Sequence, residues 1–162
     1  MDLFNTETAD IFVKLFIAMF CGMLIGTERL LANKTAGMRT YALVSMGSAL
    51  FVVISVLISS QYQSTVNFDP LRMAAQIIAG VGFLGAGLIL VKNNQITGLT
   101  SSTGLWVSAA IGMSAGFGLF IVTAISTFLT LFIFIVLWFI EKQIQKMPIV
   151  QDIERFTSGD NH

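Results

Sequence analysis

Residues 69–90, DPLRMAAQIIAGVGFLGAGLIL, place a few polar residues directly before a long, glycine-rich apolar run. A run of ~20 apolar residues is long enough to cross the hydrocarbon core of a bilayer as a helix. Arg72 and Gln76 would then lie one turn apart on the same face of that helix. Because ionisable groups at the edge of lipid are costly, we expect that face to contact protein or water.

Composition extends this interpretation to most of the chain. Of 162 residues, 55% are hydrophobic and 11% are charged, whereas soluble domains carry roughly 25% charged residues. Apolar periodicity predicts five spans, at 10–30, 40–59, 73–91, 102–117 and 119–140. We therefore predict an all-α integral membrane protein, a compact bundle of about five transmembrane helices over residues 1–140, followed by a short cytoplasmic tail at 141–162. We expect this tail to begin as a short helical extension and to be disordered beyond it. The fourth span is the weakest, and a short re-entrant element is the alternative there. Gly116-Phe117-Gly118 predicts a tight reversal between the fourth and fifth spans.

Lysine and arginine are divided unequally between the predicted loops. Seven of the nine fall on one side, namely Arg29, Lys34, Arg39, Lys92, Lys142, Lys146 and Arg155. Arg72 lies on the other side, and Lys14 lies inside the start of the first span. Because positively charged loops stay in the cytoplasm, the N-terminus is predicted outside and the C-terminus inside. The first ten residues are acidic, so we expect the first span to be retained rather than removed as a signal peptide.

Small residues recur at helical spacing in three of the spans. The ladders are Ala18, Gly22 and Gly26 in the first span, Ala75, Ala79, Gly82 and Ala86 in the third, and Gly104, Ser108, Gly112 and Gly116 in the fourth. Because small residues let helix backbones approach closely in lipid, we predict that spans one, three and four form the packed centre. The glycines assigned to helix packing are Gly22, Gly26, Gly80, Gly82, Gly85, Gly87, Gly104 and Gly112. The bulky fifth span is expected to face lipid, with Trp138 as an interfacial anchor.

The residue inventory excludes several kinds of site. Residues 80–85, GVGFLG, match the dinucleotide pattern GxGxxG, but that motif has meaning only between a strand and a helix. One cysteine, Cys21, and one histidine, His162, cannot supply a zinc site or an intrachain disulfide. A serine nucleophile would lack a positioned base. We therefore expect neither an enzyme nor a cofactor, and the zero net charge gives no reason to expect a nucleic-acid partner.

The remaining candidates for contact with a ligand or partner are polar residues at the predicted membrane edges. They are Glu28, Arg29, Arg39, Asp69, Arg72 and Gln76. Asp69 before Pro70 is typical of a helix N-cap. Arg72 and Gln76 either hydrogen-bond to another helix or line a functional cavity, and both interpretations stay open. Mg²⁺ needs only one or two carboxylates, but Asp69 and Glu28 fall on opposite sides, so a metal site is left unassigned.

Three ordered motifs carry a family resemblance. IGTERLLANKTAGMRT at 25–40, DPLRMAAQIIAGVGFLGAG at 69–87 and TGLTSSTGLWVSAAIGMSAG at 97–116 resemble the MgtC/SapB family of bacterial membrane proteins, over roughly residues 10–140. The matching positions are Glu28, Arg29, Gly37, Arg39, Thr40, Asp69, Arg72, Gln76, Gly80, Gly82, Gly85, Gly87, Gly98, Leu99, Thr100 and Trp106. Ser101 and Ser102 depart mildly from the pattern, because the family often has threonine or alanine there.

The resemblance implies a multi-pass protein of the bacterial inner membrane that serves magnesium homeostasis and adaptation to low Mg²⁺, and in some pathogens virulence. It also implies contact with another membrane complex, such as restraint of the rotary ATP synthase by the best-described member. Such members carry a soluble C-terminal domain, and we expect a short form without it. We thus predict a non-enzymatic protein, embedded in the lipid bilayer, that acts through helix contacts as a homodimer or with another membrane complex. A small channel or carrier lined by Asp69, Arg72 and Gln76 is the alternative.

Overall fold

A computed structural model describes residues 2–61, 69–92, 95–144 and 146 of the chain. Its elements, in chain order, are α1 (Asp2–Leu31), α2 (Met38–Gln61), α3 (Pro70–Leu88), β1 (Leu90–Lys92), β2 (Gln95–Thr97), α4 (Leu99–Gly116), α5 (Phe120–Phe132), a π-helical turn (Ile133–Leu137) and α6 (Trp138–Ile144). The chain divides into two compact units, residues 1–130 and 131–162. The predicted boundary after residue 140 separates the membrane-embedded part of the chain from its cytoplasmic tail. It is a different criterion from contacts between residues, and it stays a prediction.

Helices dominate the described residues, which confirms the predicted all-α membrane class. Four helical segments within them are long and apolar enough to cross a bilayer: Thr6–Leu31, Met38–Gln61, Leu71–Leu88 and Phe120–Ile144. Helix α4, at 18 residues, is not among them. The fourth predicted span is therefore a helix, and whether it crosses the whole bilayer stays a prediction.

The predicted start of α3 and the predicted reversal before α5 are both confirmed. The Asp69 carboxylate accepts a hydrogen bond from the Leu71 N–H at 2.9 Å, and Pro70 occupies the first helical turn. An acceptor at this position satisfies one of the N–H groups that a helix start leaves without a partner. At the reversal before α5, Gly118 has a φ of +77°, a left-handed conformation that glycine adopts without steric cost.

The end of the third predicted span is wrong, because the helix stops at Leu88 and the chain then forms a hairpin. Ile89 is extended, and Leu90–Lys92 pair antiparallel with Gln95–Thr97, with Val91 opposite Ile96. β-Branched residues in these short strands favour extended structure over helix. Helix α4 then begins at Leu99, three residues before the predicted start, behind Gly98 with a φ of +90°.

The packed centre of the first unit is formed by α1, α2 and α4, so the prediction that placed the third span there and left out the second is wrong. Ala18, Ala49 and Ala115, one from each of these helices, are fully buried together. Helix α3 lies against α2 and α4, where Ile77 and Val81 pack with Val52 and Ala109. The error arose because the small residues by which α2 packs against its neighbours, mainly serines, were not recognised as a ladder. Its buried serines are Ser45, Ser48 and Ser55.

The second unit contains the π-helical turn and α6. Lys142 Nζ lies 4.9 Å from the centre of the Trp138 ring, a cation–π contact within one helical turn. Trp138 is half-exposed, so interfacial anchoring by this side chain stays a prediction. The predicted helical extension past residue 140 is confirmed up to Ile144. The disorder predicted for the rest of the tail concerns residues that, apart from Lys146, lie outside the described ranges.

Candidate functional site

Glycines bring three helix backbones into direct contact in the first unit. A Cβ at Gly22 would stand 2.7 Å from the Ser45 side chain, and one at Gly26 would stand 2.6 Å from the Met38 Cα. A Cβ at Gly112 would overlap the Ser45 carbonyl. Atoms cannot approach so closely, so any side chain at these positions would push α1 or α4 away from α2. These contacts set the positions of α1, α2 and α4 relative to one another.

Hydrogen bonds between helices join the same three elements. Ser45 Oγ donates to the Ala18 carbonyl at 2.7 Å and so links α2 to α1. Tyr41 OH donates to the Ser101 carbonyl at 2.9 Å, and Ser108 Oγ donates to the Tyr41 carbonyl at 3.1 Å, so that α2 and α4 are linked twice. Such bonds contribute about 0.6 kcal/mol each in membrane proteins. Together they hold the first half of α2 against α1 and α4.

A charged pair lies at the end of α1, beside this network. Arg29 is 2% exposed, and its Nε pairs with the Glu28 carboxylate. The charges of both residues act on the Tyr41 hydroxyl. Burying an unpaired guanidinium would be very costly, and Glu28 supplies a partner of opposite charge for Arg29 inside the bundle. Both partners belong to α1, and the predicted contact of this pair with an external ligand or partner stays a prediction.

The polar residues of α3 lie apart from that pair, on the surface. Asp69, Arg72 and Gln76 are all exposed on the first turns of α3, and Arg39 is exposed on the first turn of α2. The charged side chains among them, Asp69, Arg72 and Arg39, form no ion pair with another described residue, although Asp69 caps α3. Within one chain, therefore, the described residues give no enclosed path lined by Arg72 and Gln76. A channel or carrier lined by these residues stays a prediction.

An open apolar groove separates α2 from α3. Its volume is about 630 Å³, within the range of ~300–1,000 Å³ that is typical of ligand sites. Its walls come from both helices and include one polar side chain that sequence reasoning singled out, Gln76. The lining residues are Leu43, Val44, Gly47, Ser48, Phe51, Met73, Gln76, Ile77, Gly80, Val81, Phe83 and Leu84.

The glycines of α3 do not pack like those of α1 and α4. At Gly80, Gly82 and Gly87, no atom of the described chain lies within 4 Å of the place a Cβ would occupy, whereas Gly85 lies against Ser102. The small residues of the predicted α3 ladder, Ala75, Ala79, Gly82 and Ala86, are all exposed. In α4, by contrast, Gly104 is buried. Close packing at the exposed positions of α3 therefore requires another molecule, and it stays a prediction.

Sequence reasoning missed the residues that join the helices through hydrogen bonds, chiefly Tyr41 and Ser45. The available signal was the spacing of serine and alanine in α2, since Ser45, Ser48 and Ala49 recur at helical intervals. Gly47, which opens the groove, was also missed. In the part of the chain that the structure describes, no group of three or more His, Cys, Asp or Glu side chains is arranged to hold a metal ion.

Fold and surface together define a multi-pass helical membrane protein with a small-residue face and an apolar groove on its third helix. The model of the MgtC family matches residues 15–143, and the chain belongs to that family. This confirms the resemblance carried by the three motifs.

Individual relatives show how far the similarity reaches. The chain is 46% identical over 115 residues to "Putative magnesium transporter YhiD" of Escherichia coli K12, which covers 70% of this chain and 54% of that protein. It is 42% identical over 114 residues to "Protein SapB" of Bacillus subtilis, covering 68% of this chain and 49% of that protein. It is 44% identical over 110 residues to "Protein MgtC" of Brucella abortus, covering 68% and 44%. The match thus spans about half the length of these relatives. No solved structure matches the chain.

Proposed function

We propose that this chain is a non-enzymatic protein of the bacterial inner membrane that serves magnesium homeostasis and adaptation to low Mg²⁺. It acts through contacts between membrane helices, as a homodimer and through contact with another membrane complex, for which the rotary ATP synthase is a candidate. Membership of the MgtC family supports the link to magnesium, as does the name of the E. coli relative, "Putative magnesium transporter".

The observation that carries the proposal is the outward-facing ladder on α3. Ala75, Ala79, Gly82 and Ala86 recur every three or four residues on one face, and all four are exposed. Lipid tails are as apolar as a helix surface, so helices associate in a bilayer where small residues allow close backbone contact. A second helix can approach here, because no described atom of this chain lies within 4 Å of a Cβ at Gly82. We assign this face to the homodimer.

Replacing one glycine of the ladder tests the proposal against a matched control. Gly82→Leu would hold two α3 helices apart, whereas Gly87→Leu adds the same side chain outside the ladder, where again nothing lies within 4 Å. We expect crosslinking in native membranes to give dimers in the wild type and in Gly87→Leu, and to lose most of them in Gly82→Leu. Growth of a deletion strain at limiting Mg²⁺ should be restored by the first two chains and not by the third.

Two results would count against this function. An unchanged dimer fraction in Gly82→Leu would remove the α3 ladder as the contact surface. Full growth of the deletion strain at limiting Mg²⁺ would remove the link to magnesium. Proteoliposome flux measured in parallel addresses the alternative, since a small channel or carrier would give a flux that Arg72→Ala and Gln76→Ala reduce.

A further inference from the structure

The groove between α2 and α3 has the shape of a slot for one flexible apolar chain. Its α3 wall runs from Met73 to Leu84, which corresponds to about 16 Å of helix at 1.5 Å per residue. One leaflet of the hydrocarbon core is about 15 Å thick, half of the ~30 Å bilayer core. An acyl chain that enters at the start of α3 would therefore be covered along its full depth in that leaflet.

Two glycines make room in this slot. Gly47 on α2 and Gly80 on α3 both line it, and no described atom lies within 4 Å of a Cβ at either position. The rims are bulky, since Leu43, Phe51 and Phe83 are all more than half exposed. A second helix needs small residues across the contact to approach closely, so these rims disfavour a helix in the groove. A thin, flexible hydrocarbon chain fits between them.

A positive charge lies beside the mouth of the slot. Arg72 is exposed one residue before Met73 and one turn before Gln76, both of which line the groove. Among the described residues, no carboxylate forms an ion pair with Arg72. The nearby Asp69 carboxylate accepts the Leu71 N–H as a helix cap. A guanidinium binds phosphate oxygens through paired, charge-assisted hydrogen bonds. Gln76 adds an amide at the same end of the slot.

We propose that this groove is a binding site for an anionic phospholipid, with one acyl chain between α2 and α3 and the phosphate held by Arg72. Apolar volume, depth and charge all point to the same ligand. The site is separate from the small-residue ladder of α3, so occupancy by lipid and pairing of two copies are independent properties. Lipid binding here depends on the groove and on Arg72, and it is independent of magnesium and of dimerisation.

The test uses the full chain purified in mild detergent and reconstituted in nanodiscs that contain anionic or zwitterionic phospholipid. Native mass spectrometry counts the lipids that remain bound to each chain. Gly80→Leu fills the slot, whereas Gly87→Leu places the same side chain two turns further along α3, beyond the lining residues. We expect about tenfold weaker lipid retention in Gly80→Leu, corresponding to the loss of roughly 1.4 kcal/mol of apolar contact, and wild-type retention in Gly87→Leu.

The charge is tested separately from the slot. Arg72→Gln should remove the preference for anionic over zwitterionic lipid and keep acyl binding, whereas Arg72→Lys should keep part of that preference. Retention of the lipid by a well-folded Gly80→Leu chain, or of the anionic preference by Arg72→Gln, would overturn the proposal.

If the Gly80→Leu chain fails to fold, photolabelling of the wild-type chain tests the proposal instead. In the wild type, a phospholipid with a photoactivatable group on its acyl chain should label residues of the slot on α2 and α3. Labelling spread evenly over the exposed helices would contradict the proposal. A crosslink from the slot to a second copy of the chain would replace the lipid by a protein partner.

Discussion

At the scale of single residues, the position of Arg29 shows what the sequence could and could not indicate. Glu28 and Arg29 were selected as charges at the edge of a span, and the structure places Arg29 almost fully inside the bundle, paired with Glu28. Sequence position alone could not separate an interfacial arginine from a buried one. The difference is made by α2, which covers the end of α1 and brings Tyr41 close to the pair.

Removing the charge of Glu28 should cost far more stability than removing that of Asp10. The Glu28 and Arg29 side chains are 15% and 3% exposed, whereas those of Asp10 and Lys14, which also pair, are 54% and 21% exposed. Breaking a buried pair costs about 3 kcal/mol or more, while a surface pair contributes about 0–1 kcal/mol. Unfolding of Glu28→Gln and Asp10→Asn in detergent should differ accordingly. Equal losses of unfolding free energy would show that the Arg29 charge is stabilised by other groups.

At the scale of elements, the helices were predictable and the connections were not. Apolar length alone located α1, α2, α3 and α5, and Asp69-Pro70 marked the start of α3 correctly. The hairpin was missed because Leu90 and Val91 continue the apolar run of α3, although they are extended. Three-residue strands carry too little periodicity to be recognised against a long helical pattern. The paired strands then require Gly98 to turn the chain into α4.

Alanine substitutions at Gly98 and Gly118 distinguish the energetic cost of backbone strain from that of steric overlap. Both have positive φ, at +90° and +77°, so alanine at either position should cost about 1–2 kcal/mol of conformational free energy. A Cβ at Gly98 would also overlap the Leu88 carbonyl, whereas one at Gly118 would meet only the Lys14 side chain at 3.5 Å. Thermal unfolding should therefore show a clearly larger loss for Gly98→Ala than for Gly118→Ala. Similar losses would mean that the Leu88 carbonyl moves aside.

At the scale of the whole molecule, composition predicted the membrane class, and the small residues predicted which surfaces are tight but not which helix is central. The ladders of small residues favoured the third span, whereas α2, in which no ladder was recognised, forms the actual centre with α1 and α4 through its serine and alanine. Ser45 shows why: its side chain is small enough for a close contact and also supplies a hydrogen bond to α1. The positions of glycines alone do not identify a residue such as Ser45, which allows close helix contact and also donates a hydrogen bond between helices.

The orientation of the chain can be tested with single cysteines, because Cys21 is the only native cysteine and is buried. In a Cys21→Ala background, Glu7→Cys should react with a membrane-impermeant maleimide in intact spheroplasts. Thr35→Cys, between α1 and α2, should react only after the membrane is opened. This pattern follows from the seven positive charges on one side. Labelling in the opposite order would invert the predicted topology.

The glycine contacts at α2 also determine which part of the molecule is compliant. Gly22 and Gly112 place the backbones of α1 and α4 directly on α2, so neither helix can slide without a collision between main-chain atoms. Helix α3 is held through side chains such as Ile77 and Val81, which can change rotamer and permit a small tilt at low energetic cost. We therefore expect α1, α2 and α4 to move as one rigid group and α3 to tilt against them. The width of the groove between α2 and α3 is consequently the dimension that we expect to respond to a change in the thickness or tension of the surrounding bilayer.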